Sequence, residues 1–341
     1  MTRVGIAGAG WPGAAHAKGY QDAGGFKIVA IADLIPARRE KLKSEYQIEL
    51  DFADARELIE RAPLDVLSVC LPTHLHMETV LAALKKGIHV VCESPPALDA
   101  AQARRLMTAA EKAGKILMYA LQRRFGPAEQ AAEQATHKGY AGDLYHARAS
   151  WLRTRGVPVG TGWYGEKARS GGGALIDVGL HLLDVAWHLL GKPAPVAAFA
   201  VVHQRIKDLG IAELNYDVED LAVGVMKFEG NKSIELAASW VANQAPQHNG
   251  TSLRLYGTAG GIEVYTPGGA TMYRNFTAKG EAKASPLKPP KVVHHAAMMR
   301  HLKGALAGKH PAAPGPAEGF ALMQMIDALY KSAATGKSVL M

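Results

Sequence analysis

The sequence predicts an α/β protein of two domains. A doubly wound parallel sheet occupies residues 1–121, and a second α/β domain with a mostly antiparallel sheet occupies residues 122–341. Three observations carry this. From Arg3 to about Leu121, short β-branched runs alternate with amphipathic helical stretches, the pattern of βαβ units. The first such run leads straight into a glycine-rich turn, Gly8-Ala9-Gly10-Trp11-Pro12-Gly13. From Leu144 onward, alternating apolar and polar runs are separated by glycine and polar breaks, which suits antiparallel strands with one buried face.

In the first domain the strand candidates are 4–7, 27–32, 66–71, 89–92 and 116–120. Helical patterns fill the gaps at 12–22, 36–45, 53–61, 74–86 and 99–113. The second domain offers strands at 144–153, 196–202, 221–228, 233–241, 251–256 and 261–265. Residues 267–291 are rich in Gly, Lys and Pro and read as an exposed edge excursion or loop. No internal repeat or low-complexity tract interrupts the chain.

The glycine turn matches a dinucleotide fingerprint. Gly8 permits the tight turn, Gly10 lets a pyrophosphate approach the backbone, and Gly13 allows close packing of helix on strand. Trp11 and Pro12 open a helix whose amide donors favour an anion. Asp33 ends the second strand 20 residues after Gly13, where a carboxylate would accept the ribose hydroxyls and repel a 2′-phosphate. NAD is therefore the expected cofactor, with Arg38 and Arg39 keeping NADP open. Pro72, Thr73 and His76 follow the fourth strand, where a parallel sheet places its ligand crevice, and are expected to touch the cofactor.

The stretch Gly171–Gly191, GGGALIDVGLHLLDVAWHLLG, is an apolar helix pattern interrupted by Asp177, His181, Asp184 and His188. At about 100° per residue these four fall within an arc of about 60°. Buried unpaired they would cost several kcal/mol, so the stripe must meet a partner, a cofactor or a substrate. Asp177 and His181 are read as chemistry: an imidazole titrating near neutrality with a carboxylate one turn away to orient it. For Asp184 and His188 a buried structural network competes with that reading. Lys167 precedes the triple glycine and could bring a positive charge to the site or simply remain solvated. Arg155 leads into a glycine-rich approach to Trp163 and Tyr164, a loop expected to close over substrate or to pack an interface.

Composition excludes other classes. With 48% hydrophobic and 21% charged residues, the chain is that of an ordinary globular protein. Its apolar runs are too short to span a bilayer, and Arg3–Gly8 reads as a strand rather than a signal peptide, so a cytoplasmic protein is expected. The net charge of +8 is scattered, which suits an anionic cofactor or substrate better than nucleic acid. Cys70 and Cys92 form no CxxC pair, and no Cys/His cluster has metal-ligand spacing, so two reduced thiols and no metal are expected.

Taken together, GAGWPGAAHA at 8–17, LPTHLHMETV at 71–80, GIHVVCESP at 87–95, RRF at 123–125, SGGGALIDVGLHLLD at 170–184 and IDALYKSAATGKSV at 326–339 resemble the Gfo/Idh/MocA family over essentially the whole chain. The resemblance implies a Rossmann domain followed by a domain on a large open sheet, often an oligomer interface, and hence a homo-oligomer, a dimer or tetramer. It also implies an oxidoreductase acting on a hydroxyl of a sugar, glycoside or polyol, with Glu93, Ser94 and Gln122 beside the cofactor. The family usually carries Glu-Lys-Pro where this chain has Glu93-Ser94-Pro95. Serine supplies no positive charge to a developing alkoxide, a loss of about 10² to 10³ in rate if nothing replaces it. Three accounts compete. In a dehydrogenase, His181 is the base and Lys167 or an arginine supplies the charge. In redox-neutral chemistry, transient oxidation and elimination at a glycoside proceed with Tyr119, Tyr164 or His181 moving protons. In a sensor, cofactor and ligand bind without turnover. The resemblance further implies that the Ser94–Pro95 bond is cis.

Overall fold

The computed structural model describes residues 1–158, 162–206, 208, 216–265, 272–277, 285–286 and 293–341. Two compact units divide the chain: 1–125 with 292–323, and 126–291 with 324–341.

The first unit is built on six parallel strands: β1 (Thr2–Ala7), β2 (Phe26–Ala32), β3 (Leu50–Phe52), β4 (Val66–Val69), β5 (His89–Glu93) and β6 (Leu117–Ala120). Their order is β3-β2-β1-β4-β5-β6, so the topology reverses between β1 and β4, where such sheets hold their ligands. The connecting helices are α1 (Trp11–Ala23), α2 (Pro36–Tyr46), α3 (Ala55–Arg61), α4 (His76–Lys85) and α5 (Ala100–Ala113). Local chemistry sets their ends. Asp54 and Asp99 accept backbone amides at the starts of α3 and α5, and Gly114 closes α5 in the left-handed region. Strand β3 is absent from the sequence reading because three residues, of which only Phe52 is buried, are too few to show a period.

The second unit opens with α6 (Pro127–His137) and is built on nine strands: β7 (Leu144–Leu152), β8 (Pro195–His203), β9 (Leu221–Phe228), β10 (Lys232–Ser239), β11 (Gly250–Gly257), β12 (Gly260–Tyr265), β13 (Met272–Thr277), β14 (Ser285–Pro286) and β15 (Val339–Leu340). They run β14-β13-β12-β11-β7-β10-β9-β8-β15, and every pairing is antiparallel except the parallel join of β7 to β10. Between β7 and β8 lie α7 (Lys167–Ser170) and α8 (Leu180–Leu189). One sheet face buries Ala147, Ala149, Met226, Ile234 and Leu236, with α8 against β7 and β10. On the other, Phe199, Val201, Val223 and Val225 are 41–48% exposed, and register sets Phe199 opposite Val225 and Val201 opposite Val223. The 267–291 stretch, expected as an exposed edge excursion or loop, contributes strands β13 and β14 at the edge of the sheet; its remaining residues lie outside those described.

The chain then returns to the first unit. Helix α9 (His294–Leu306) packs on α1, with Met298, Met299 and Leu302 joining Ala17, Tyr20 and Phe26 in one apolar cluster. Helix α10 (Pro316–Thr335) gives its first residues to the first unit and its remainder to the second. The boundary at residue 121 thus becomes one at Phe125, and the first unit is discontinuous. A helix whose apolar stripe would suit either domain carries no signal of which one it joins.

Candidate active site

In the first unit the glycine turn has the form its sequence required. Gly8 has φ of 98°, and a Cβ there would stand 2.2 Å from the Cys70 carbonyl oxygen. At Gly13 a Cβ would stand 1.9 Å from the Gly8 carbonyl oxygen, so α1 packs on β1 only without a side chain. At Gly10 the nearest atom would be Pro12 Cδ at 3.6 Å, which leaves the backbone open where a pyrophosphate would approach. Gly10 begins α1 without a side-chain cap, Pro12 sits in the first turn, no acidic residue blocks it, and Trp11 is exposed. This cradle fits a dinucleotide.

Asp33 is engaged twice: the Ala9 amide donates to Oδ2 at 2.7 Å and the Ile35 amide to Oδ1 at 2.8 Å. It therefore clamps the glycine turn to the loop after β2 while keeping lone pairs for a ribose. Arg39 is spent on the Asp33 carbonyl and on Asp51, whereas Arg38 is exposed. We expect Asp33→Ala to weaken NAD about 10- to 100-fold, the worth of a hydrogen bond to a charged group, and NADP less. Titrating both cofactors decides this; equal losses would leave Asp33 only its clamping role.

After β4, Pro72 is extended, and Thr73 is buried with its Oγ1 lacking a hydrogen-bond partner. Gln122 Oε1 is likewise buried and unpartnered. Both are acceptors or donors a ligand could satisfy. His76 is committed elsewhere: its ring nitrogens lie 3.0 Å from the Pro95 carbonyl and 2.7 Å from that of Leu71, and burial lowers the imidazole below its ordinary pKa. It braces the loops after β4 and β5 rather than standing free for cofactor. Glu93 is buried. Burial alone would raise its carboxyl, but the His16 hydrogen bond and charge outweigh this and hold it below the usual carboxylate range. The Ser94 amide donates to Glu93 Oε2 at 3.1 Å, and the Ser94–Pro95 bond is cis. Tyr119 is fully buried against Gly319, and burial pushes its phenol well up, so it is closed to the proton traffic the sequence allowed it. Arg124 pairs with Glu318 at 2.7 Å as a structural link.

In the second unit the triple glycine has its own reason. A Cβ at Gly173 would stand 1.8 Å from the Glu219 carbonyl oxygen, and one at Gly172 2.0 Å from Tyr330 Oη. The Glu219 carboxylate accepts from the Gly173 and Leu175 amides and from Tyr330 Oη. From this anchor a π turn, Leu175–Gly179, leads into α8, so the regular helix wheel shifts around Asp177.

Asp177 is half-buried and accepts from Trp240 Nε1 at 2.7 Å. Burial raises its carboxyl above the ordinary value, with the Arg153 charge and the Trp240 bond opposing. His181 is 8% exposed, its ring centroid 6.1 Å from that of Trp151. The Arg153 guanidinium lies 4.8 Å over the same indole. The structure thus gathers Asp177, His181, Trp151, Arg153 and Trp240. Asp184 is buried, and His188 is 2.9 Å from Glu133 on α6, so the outer half of the stripe is structural, with a partner other than Asp184 for the histidine.

Other expected residues have contacts of their own. Lys167 is exposed, its Nζ 5.8 Å over the Tyr330 ring. Arg155 is exposed and donates to Asn243 Oδ1 at 3.0 Å. Trp163 and Tyr164 stack at 3.8 Å between centroids. Sequence reasoning missed Trp240 and Glu219; the only available signal for either was its place at the end or edge of a strand run.

Residues 2–121 match the GFO_IDH_MocA model, an oxidoreductase family with an NAD-binding Rossmann fold, and residues 130–263 match the GFO/IDH/MocA C-terminal domain. The chain is 32% identical over 350 residues to D-glucoside 3-dehydrogenase of Escherichia coli (strain K12), covering 99% of this chain and 97% of that protein. It is 29% identical over 236 residues to inositol 2-dehydrogenase of Rhizobium meliloti (strain 1021), covering 68% of this chain and 67% of the relative. A levoglucosan dehydrogenase in complex with NADH and levoglucosan shares the fold, with a TM-score of 0.87, 21% identity and 99% of each chain covered.

Proposed function

The chain belongs to the GFO/IDH/MocA oxidoreductase family, and from that premise we propose that it oxidises a hydroxyl of a sugar, glycoside or polyol with NAD and with His181 as general base. The single observation that carries the reading is the group around Asp177: a half-buried carboxylate fixed by an indole N–H and set one turn from the buried His181. NAD, when bound, accepts the hydride. Gly10 leaves room for its pyrophosphate at the α1 N-terminus, which the close packing at Gly8 and Gly13 positions, and Asp33 offers acceptors to its ribose. Thr73 and Gln122 bring unpaired polar atoms. His181 takes the hydroxyl proton, which develops as the hydride leaves, and Asp177 stabilises the imidazolium. Arg153, whose charge already acts on Asp177, supplies positive potential that Ser94 does not.

The absent motif lysine favours one second reading, redox-neutral elimination of a glycoside through transient oxidation, and a single screen separates the two. The purified protein is given NAD and a panel of monosaccharides, glycosides and inositols, with reduced nicotinamide read by absorbance and products by mass. Net reduction supports the dehydrogenase. Product without net reduction supports the redox-neutral reaction. Neither, with NAD still bound, leaves the sensor.

Among the described residues no helix is long and apolar enough to cross a membrane. A cytoplasmic homo-oligomer completes the proposal. The apolar cross-strand pairs Phe199/Val225 and Val201/Val223 are of a kind that monomers rarely leave in water. We expect light scattering to find a dimer or tetramer at micromolar concentration, and Val223→Glu with Val225→Glu to release monomers. An oligomer indifferent to both changes would move the interface elsewhere.

A further inference from the structure

We propose that His16, Glu93 and His295 form a site in the first unit for one divalent cation of the zinc class. His16 lies on α1, Glu93 ends β5 and His295 opens α9, and one ligand atom from each falls within 4.8 Å of the others. The three are separated by 77 and 202 positions, so no spacing rule could have found them. Close packing brings them together: a Cβ on Gly19 would stand 2.9 Å from His295 Cβ, so only glycine lets α9 approach α1 this far.

The donor set selects the ion. Two imidazoles and a carboxylate form the three-ligand set of open zinc sites, with solvent completing the fourth position, whereas magnesium and calcium seek oxygen alone. His16 is fully enclosed and Glu93 nearly so. His295 Nε2 is buried without a hydrogen-bond partner, and its ring centroid is 5.8 Å from that of His16. Such an orphan is destabilising, and coordination would satisfy it.

The shell behind the ligands also suits a metal. His16 Nε2 lies 2.8 Å from Glu93 Oε1, and its Nδ1 lies 2.9 Å from Ser68 Oγ, itself 2.8 Å from Tyr20 Oη. A hydroxyl can donate or accept, so Ser68 satisfies either neutral tautomer of His16. Without metal, Nε2–H donates to Glu93 and Ser68 donates to Nδ1. With metal, the hydrogen resides on Nδ1 and is accepted by Ser68, freeing the Nε2 lone pair. The ion would then fasten the returning helix α9 to α1 and to the sheet.

The test uses the full-length protein, stripped by chelator and titrated with Co²⁺, a coloured probe for the same ligands. The expected result is one Co²⁺ per chain with the strong visible bands of four-coordination, displaced by Zn²⁺. His295→Phe keeps a ring of similar volume and should lose those bands and weaken the metal by at least about 10- to 100-fold. Bands unchanged in His295→Phe, or no bands in the parent protein, overturn the proposal. If His295→Phe fails to fold by circular dichroism, Ser68→Ala carries the test: it keeps all three ligands, and about tenfold weaker binding supports the site while unchanged affinity overturns it.

Discussion

His181→Ala is expected to lower turnover by about 10² or more while leaving NAD affinity nearly unchanged. The reason is positional: His181 belongs to the second unit, whereas the glycine cradle and Asp33 belong to the first. Asp177→Asn should cost less if the carboxylate only orients the imidazole, and more if it also holds a substrate hydroxyl. The same substitution has a second readout. Burial holds the Asp177 carboxyl above its ordinary pKa, so the folded state resists losing that proton while the unfolded state loses it readily. Stability is therefore lost as pH rises from the ordinary carboxylate range through the raised value. Asn carries no charge, so Asp177→Asn should unfold at a higher temperature than the parent near neutral pH even as its rate falls. Activity of the parent should fail on the acid side at a higher pH than an unperturbed carboxylate would dictate. Steady-state kinetics, NAD titration and thermal denaturation across pH read all three, and full activity in His181→Ala would sink the mechanism.

Gly13→Ala is expected to damage both fold and cofactor binding. The added Cβ would stand 1.9 Å from the Gly8 carbonyl oxygen, 3.0 Å from its carbon and 3.4 Å from Ile6 Cγ2. Two of these atoms are backbone and cannot rotate away, so α1 must lift from β1 at a cost of about 1–3 kcal/mol. The amides at its N-terminus move with it, and NAD should bind more than about tenfold weaker, since each 1.4 kcal/mol of misplacement is tenfold. Gly10→Ala is the control. Its φ of −69° suits any residue and its Cβ meets only Pro12 Cδ at 3.6 Å, so the melting temperature should hold while NAD is still excluded. Equal behaviour of the two variants would show that Gly13 acts on cofactor rather than on packing.

Which features were readable from the chain follows from how local their causes are. The first sheet, its reversal of order and the glycine turn depend on short-range periodicity and on positions a few residues apart, so they emerge from the sequence almost intact. The Asp177–His181 pair was visible because it lies one turn apart on a single segment. Its supports were not, because Trp240 reaches Asp177 from 63 positions away and Glu219 reaches Gly173 from 46. The same distance hid the partner of His188, which is Glu133 on another helix rather than Asp184 on its own. Tyr119 read as a proton carrier because a phenol at a strand end is chemically plausible there. Its burial against Gly319, from the far end of the chain, could not be seen.

The discontinuity of the first unit also bears on synthesis. Its apolar cluster needs Met298, Met299 and Leu302, yet 166 residues, Gly126–Lys291, are made between Phe125 and the returning segment. At about 5–20 residues per second, roughly 10–30 s pass with the α9-facing side of α1 uncovered. The nascent dinucleotide fold is thus held open on the ribosome, with Ala17, Tyr20 and Phe26 as the surface a chaperone would meet. A fragment cut after Phe125 would keep that surface permanently and aggregate, whereas a circular permutant that fuses the returning segment ahead of residue 1 would bring the unit's two pieces together in sequence.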